Sequence, residues 1–344
     1  MENTPVRPLV IGHRGASGYR PEHTEAAYRL AFAQGADAVE PDVVFSRDGV
    51  AVVRHENEIS GTTDVAEHPE FAGRRATRSV DGEEHTGWFT EDFTWAELST
   101  LRARERLPTL RPESAAHDDA FPLLRLSDVL RIVDEVAEET GRAVFPVVEV
   151  KHASHFDALG LPAAELVAGA LEASGWAGRT GRLVVESFEQ TVLGEMRMRG
   201  VAARYVYLLE AHGKPFDQVA RWGDAAGGYL DQLTDASLSG LAAEVDGISL
   251  DKALILPLDA EGNATRVSDV VSRAHRAGLE VYTWTLRPEN AFLPKNLRTG
   301  GRAAAFGRWQ EEYRTIMSSG VDGVFADHPD LALVARGTGV GGAA

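Results

Sequence analysis

Pro8-Leu-Val-Ile-Gly12 runs directly into His13-Arg14-Gly15-Ala16. An apolar run of this length reads as a buried strand. The residues just past its end separate two α/β architectures. An open doubly wound sheet usually places a glycine-rich phosphate loop after its first strand. Here the strand ends on a histidine and an arginine, which serve poorly as packing residues and suit the polar face at the strand ends of a closed barrel.

The pattern outward from this point is an alternation of apolar runs and amphipathic segments. Glu22 to Gln34 predicts a helix, with Ala26, Ala27, Leu30, Ala31 and Phe32 near 3.6-residue spacing and Gly35 as its stop. Asp37 to Phe45 predicts the next strand, followed by a turn at Gly49 and an extended return from Val50 to Arg54 toward His55. Between positions 56 and 121 the alternation stops, and a polar stretch rich in Thr, Glu, Arg and Gly reads as an inserted subdomain. It then resumes with helix Leu126–Thr140, strand Val144–Val150, helix Pro162–Ser174, strand Leu183–Ser187, helix Glu189–Arg199 and strand Arg204–Leu208. A less regular stretch to about position 244 precedes strand Gly247–Ser249, helix Val267–Ala277, strand Leu279–Trp284, helix Gly307–Ser319 and strand Gly323–Ala326. Eight strands separated by helices predict an α/β fold of the TIM (β/α)8 type, one catalytic domain spanning 1–344. The tail at 337–344, rich in glycine, is expected to be disordered.

Composition agrees with such a fold and narrows the partners. With 344 residues, 44% hydrophobic and 25% charged, the chain can bury a large core and keep a soluble surface. Thirty-five Lys and Arg against 52 Asp and Glu leave a net charge of −17, which repels nucleic acid and anionic headgroups at long range. An anionic substrate therefore needs local cations. The absence of cysteine excludes disulfides, zinc–thiolate sites and cysteine nucleophiles. No apolar run approaches the roughly 18 residues of a membrane span, so no stable membrane insertion is expected. The N-terminus lacks the charged and apolar regions of a signal peptide. As written the chain fits the cytoplasm, or a secreted or periplasmic protein whose leader has been removed.

The strand ends carry the chemistry. Strand side chains alternate faces, so Glu40 and Asp42 point the same way with Pro41 between them. Two carboxylates on one face of an apolar strand repel each other unless they are solvated or share a cation. Glu149 and Lys151 likewise share one face of a later strand, either as an ion pair or as a third oxygen ligand beside a phosphate-binding cation. Trp284 closes the barrel core or lines a substrate wall, and Asp327 reads as the cap of the next helix, which starts near Pro329. His68, His85, His117, His152, His155, His212 and His275 read as solvated, with His152 and His155 notable for their closeness to Lys151 in the chain. Glu40, Asp42 and Glu149 together would make an all-oxygen site suited to one Ca²⁺ or Mg²⁺. His13 and His55 would supply a base and an acid, and Arg14 and Lys151 positive charge for a phosphodiester.

These residues resemble a family. His13-Arg14-Gly15-Ala16 with Pro21-Glu22-His23-Thr24 is similar to the opening signature of the glycerophosphodiester phosphodiesterases. Glu40-x-Asp42, Asp48-Gly49 and Val52-Val53-x-His55-Glu56 resemble its second block. Glu149-x-Lys151, Ser187-Phe188, Trp284-Thr285 and Val321-Asp322-Gly323-x-x-x-Asp327-x-Pro329 come next, in order. The 56–121 segment resembles the longer bacterial members through Gly61-Thr-Thr-Asp, His68-Pro-Glu-Phe71, Gly87-Trp-Phe-Thr-Glu-Asp-Phe93 and Leu101-Arg-Ala-Arg-Glu-Arg-Leu-Pro108.

The resemblance implies hydrolysis of a glycerophosphodiester to sn-glycerol 3-phosphate and an alcohol. It implies a divalent cation on Glu40, Asp42 and Glu149, acid–base work by His13 and His55, and substrate binding by Arg14, Lys151 and Trp284. Water attack and a cyclic phosphate route both stay open at this point. Two positions depart from the pattern: His23 replaces Asn and Glu56 replaces Asp, both bearing on substrate geometry. A lysophospholipase D or phospholipase acting on lipid diesters is the alternative, favoured if Trp88, Phe89, Phe93 and Trp95 are exposed on one rim. A non-catalytic binding barrel is the second, disfavoured by the complete set of polar residues.

Overall fold

The computed structural model describes residues 7–337. Its twelve strands are β1 (Leu9–His13), β2 (Ala38–Glu40), β3 (Asp42–Phe45), β4 (Ala51–Val53), β5 (Ala76–Val80), β6 (Glu83–Gly87), β7 (Phe145–Val150), β8 (Val184–Ser187), β9 (Arg204–Leu209), β10 (Gly247–Asp251), β11 (Glu280–Leu286) and β12 (Gly323–Ala326). β2 and β3 form one stave interrupted at Pro41, which has no N–H to give to a ladder. Counted that way, eight parallel staves run in order from β1 through β7 to β12, and β1 pairs with both β2 and β12. The sheet is therefore closed into a (β/α)8 barrel, as the alternation of strands and helices predicts. β4 returns antiparallel along β3 and carries the chain back to the strand-end face.

Seven staves contribute one side chain each to an interior layer of Ile11, Ala38, Val147, Val184, Val206, Tyr282 and Phe325. Gly323 makes room for this layer, since a Cβ there would lie 2.6 Å from the Tyr282 ring. The helices pack outside, through residues such as Val129, Val133, Val167, Leu193 and Ile316, into a second and larger cluster.

Several element bounds differ from expectation for local reasons. The first helix is Glu25–Gln34, because Thr24 caps it by accepting from Ala27 N. Glu22 and His23 precede it in irregular backbone, His23 at φ +59, and both side chains are buried. The irregular stretch before β10 contains helices Phe216–Trp222 and Asp235–Leu241. Between 56 and 121 lie the β5–β6 hairpin and short helical turns, with Phe71, Trp88, Phe93, Leu98 and Leu101 buried in the same cluster as the outer helices. Of the tail expected to be disordered, Gly337 ends the last helix and 338–344 lie outside the described residues. Among the described residues no helix is long and apolar enough to cross a membrane.

Candidate active site

Side chains two residues apart on a strand share a face, about 7 Å apart along the strand. Two residues beyond each member of the interior layer stand His13, Glu40, Glu149, Glu186, Leu208, Trp284 and Asp327. The floor of the barrel thus marks which positions face its mouth. Register brings these together laterally: His13 is opposite Glu40, Asp42 opposite Glu149, and Glu149 opposite Glu186. His13, Glu40, Glu149, Glu186 and Leu208 line a cavity of about 780 Å³ at the C-terminal strand ends, with Arg14, His55, Lys151, Trp284 and Arg287 on its walls.

Glu40, Asp42 and Glu149 each offer one carboxylate oxygen within 4.8 Å of the other two. Glu40 and Asp42 are 1% exposed, so repulsion between them is barely screened by water. Glu40 Oε1 and Asp42 Oδ1 accept no hydrogen bond, although both are buried. Glu149 Oε1 lies 2.8 Å from Lys151 Nζ, the ion pair the sequence allows, outside hydrogen-bond geometry. Burial and the charges of Asp42 and Glu149 push the Glu40 carboxyl well above the ordinary range. Burial, opposed by Lys151 and reinforced by Asp42, brings Glu149 up to about 8. Asp42 stays well below the ordinary range: burial is outweighed by His55, Lys151, His23 and Arg14. Buried oxygens without donors, held close together on hard ligands, fit a divalent cation of the Ca²⁺ or Mg²⁺ kind.

Each expected histidine is held by a carboxylate. His13 Nδ1 lies 2.6 Å from Asp327 Oδ1. Burial and the adjacent Arg14 lower the His13 imidazole to about 4, against the pull of Asp327. His55 Nδ1 lies 2.5 Å from Glu56 Oε1, and its Nε2 is 3.2 Å from Lys151 Nζ. If Nδ1 carries the proton, Nε2 is left with a lone pair that accepts from the ammonium. Burial, Arg14 and Lys151 lower His55 to about 3. The Arg14 guanidinium lies 3.0 Å from Glu22 and 3.3 Å from Asp42, while its backbone N–H donates to Glu40 Oε2 at 2.8 Å. Trp284 packs on the interior layer, lines the cavity and meets the Phe188 ring edge-on, 5.6 Å between centroids, so it both caps the core and forms a wall.

Some side chains stand differently from their sequence reading. Asp327 is not spent on the helix after it. Its carboxylate takes His13, Arg111 at 2.6 Å and Arg287 at 2.7 Å. His152 and His155 are not solvated: His152 Nδ1 meets Asp81 at 2.6 Å at the tip of the β5–β6 hairpin, and His155 Nε2 meets Glu91 at 3.1 Å. His23 sits behind the acid cluster, its Nε2 2.9 Å from Asp42 Oδ2 and its Nδ1 2.7 Å from Tyr28 Oη. Glu186 escaped the sequence reading. It is buried beside Glu149 and has an oxygen without a donor; burial, Glu149 and Asp42 hold its carboxyl well above the ordinary range. The signal was present in the paired runs Val147-Val148-Glu149 and Val184-Val185-Glu186.

A parallel barrel whose mouth gathers buried carboxylates, two imidazoles and two cations belongs to the class of barrel enzymes equipped to act on an anionic ester. The model of the glycerophosphoryl diester phosphodiesterase family matches residues 13–331. Glycerophosphodiester phosphodiesterase GDPD6 of Arabidopsis thaliana is 30% identical over 330 residues, which is 93% of this chain and 84% of that protein. The glycerophosphodiester phosphodiesterase of Treponema pallidum is 27% identical over 344 residues, 94% of this chain and 90% of that one. A phosphodiesterase of Oleispira antarctica, solved in complex with its product sn-glycerol-3-phosphate, shares the fold with a TM-score of 0.62 at 19% identity, over 96% of this chain and 97% of that one. The chain belongs to the glycerophosphoryl diester phosphodiesterase family.

Proposed function

We propose that this chain hydrolyses glycerophosphodiesters to sn-glycerol 3-phosphate and an alcohol, as one catalytic domain with residues 56–121 inserted in its barrel. The reading is carried by the meeting of Glu40, Asp42 and Glu149 within 4.8 Å, with Glu40 and Glu149 lining the same cavity as His13 and His55. Glu40, Asp42 and Glu149 would hold one divalent cation, Ca²⁺ or Mg²⁺, with Glu186 beside them. When bound, the cation supplies charge neutralisation of the phosphodiester and of the charge that grows on its oxygens.

Arg14 and Lys151 add positive charge to the same wall and draw a phosphodiester into an otherwise acidic protein. His13 and His55 form the acid–base pair. One imidazole takes the proton from the attacking hydroxyl as the new P–O bond forms. The other gives a proton to the alcohol oxygen as the old P–O bond breaks. Attack by water and attack by a neighbouring glycerol hydroxyl both need this pair. A bound phosphate places negative charge next to both rings and raises their low pKa values, so that one can carry the proton.

The inserted segment bears on substrate size. Phe89 and Phe93 are fully buried, Trp88 is buried, and Trp95 is half-buried under Arg125. They form no exposed apolar rim, which favours small water-soluble diesters over lipid diesters. The test is a panel of glycerophosphodiesters and lysophospholipids, assayed with and without chelator, products resolved by chromatography. Release of glycerol phosphate from the small diesters, abolished by chelator, is expected. Turnover confined to lysophospholipids would overturn the substrate assignment.

A further inference from the structure

We propose that Arg106 and Arg111, both in the 56–121 segment, are positioning residues that clamp the two carboxylates orienting His55 and His13. The inference rests on the hydrolytic reading above. Neither arginine lines the cavity. Both reach the site from behind, through an acid that already holds an imidazole.

On the His55 side, Arg106 Nη1 and Nη2 meet the two oxygens of Glu56 at 2.9 and 2.5 Å. The same guanidinium donates from Nε and Nη2 to Glu22 at 2.9 and 2.7 Å. Glu22 in turn holds Arg14 at 3.0 Å. One side chain therefore sets an imidazole and a phosphate-binding cation together. On the His13 side, Arg111 Nη2 meets Asp327 at 2.6 Å and its Nε meets Glu289 at 2.7 Å. The planar fork of arginine can span two carboxylates in fixed directions, and a lysine ammonium cannot.

The two clamps differ in redundancy. Asp327 is buried and also held by Arg287. Glu56 is about one-third exposed, and a carboxylate on the residue next to His55 has rotamer freedom that Arg106 removes. Arg106 thus gives the cleaner test. Arg111→Ala would strip a cation from the buried acids Glu289 and Asp327, so its melting curve is read first and Arg106 carries the proposal.

The experiment compares the 344-residue chain with R106A, R106K, H55A and R106A/H55A, using a glycerophosphodiester that the parent turns over with saturating Ca²⁺ or Mg²⁺. R106A should lose roughly 10- to 100-fold in kcat, the range for loss of a group that orients a ligand or base, with KM moving less. R106K should recover only part of it. In the H55A background most of the R106A loss in kcat should disappear, leaving only the part that Arg106 exerts on Arg14 through Glu22. Full kcat in a folded R106A variant would overturn the proposal, as would an equal loss with and without His55. Proton NMR reads the same claim without turnover. The His55 Nδ1 proton, bonded to Glu56, should be protected in the parent and exchange with water in R106A. Its persistence in R106A would overturn the clamp even if no glycerophosphodiester is hydrolysed, an outcome that would instead count against the hydrolytic reading.

Discussion

At the floor of the barrel, Ile11, Ala38, Val147, Val184 and Phe325 fill the interior with side chains that have no polar atom to satisfy. Two residues further along the same strands, His13, Glu40, Glu149, Glu186 and Asp327 crowd charge into a space nearly as buried. The backbone is the same and the spacing is one pleat repeat, so the difference is chemical. The floor lowers the free energy of the fold by removing apolar surface from water, about 25 cal/mol per Å². The mouth raises it by desolvating carboxylates beside one another, and depends on a cation and opposed charges to offset that. Stability and chemistry are thereby separated into adjacent layers.

The sharpest way to break this comparison is at the mouth. His13→Ala and His55→Ala should each lower turnover by roughly 10²–10⁴-fold while the protein stays folded. Unchanged turnover in either, measured with the substrate panel, would remove that ring from the mechanism. Next in size is the floor. Ile11→Ala, at a position with no exposure, should cost about 2–5 kcal/mol in denaturant unfolding and leave the kcat of the folded fraction near the parent's. A large fall in kcat with intact stability would mean that the layers are not separable. A smaller effect is expected from Glu40→Gln. It should weaken Ca²⁺ or Mg²⁺ binding by at least about tenfold, read by calorimetry, while stabilising the cation-free protein by removing the cost of keeping the buried Glu40 carboxyl protonated. Unchanged cation affinity would count against the ligand set.

The smallest effect concerns pH. In the cation-free fold Glu149 is raised to about 8, above its unfolded value, so the folded state holds a proton that the unfolded chain has lost. That contribution is fully present below about pH 4.5 and fades as pH rises through 8. A bound cation would remove the need for the proton. The gain in Tm from saturating cation should therefore widen between pH 6 and pH 8, by several degrees at most. A gap that narrows over this range would contradict a buried, protonated Glu149.

Much of this layering can be read without coordinates. The i, i+2 placement of Glu40 and Asp42 marks a shared face, and alternation of strands with helices marks the barrel. Other parts depend on distance along the chain. Glu186 is a lone acid in its strand, and its partner Glu149 is a lateral neighbour whose register only the closed sheet defines. Asp327 looks like a helix cap because its partners Arg111 and Arg287 lie 216 and 40 residues away. His152 looks solvated because Asp81 arrives on a hairpin 71 residues earlier. Local chemistry is visible in local sequence, and an ion pair between distant loops is not.

Lys151 gives the mouth one more property. Its ammonium, 2.8 Å from Glu149 and 4.0 Å from Asp42, is a tethered positive charge set against the buried acids. A covalently attached counter-charge is present at the mouth at every salt and cation concentration, so the spacing of these acids does not rest on the solution alone.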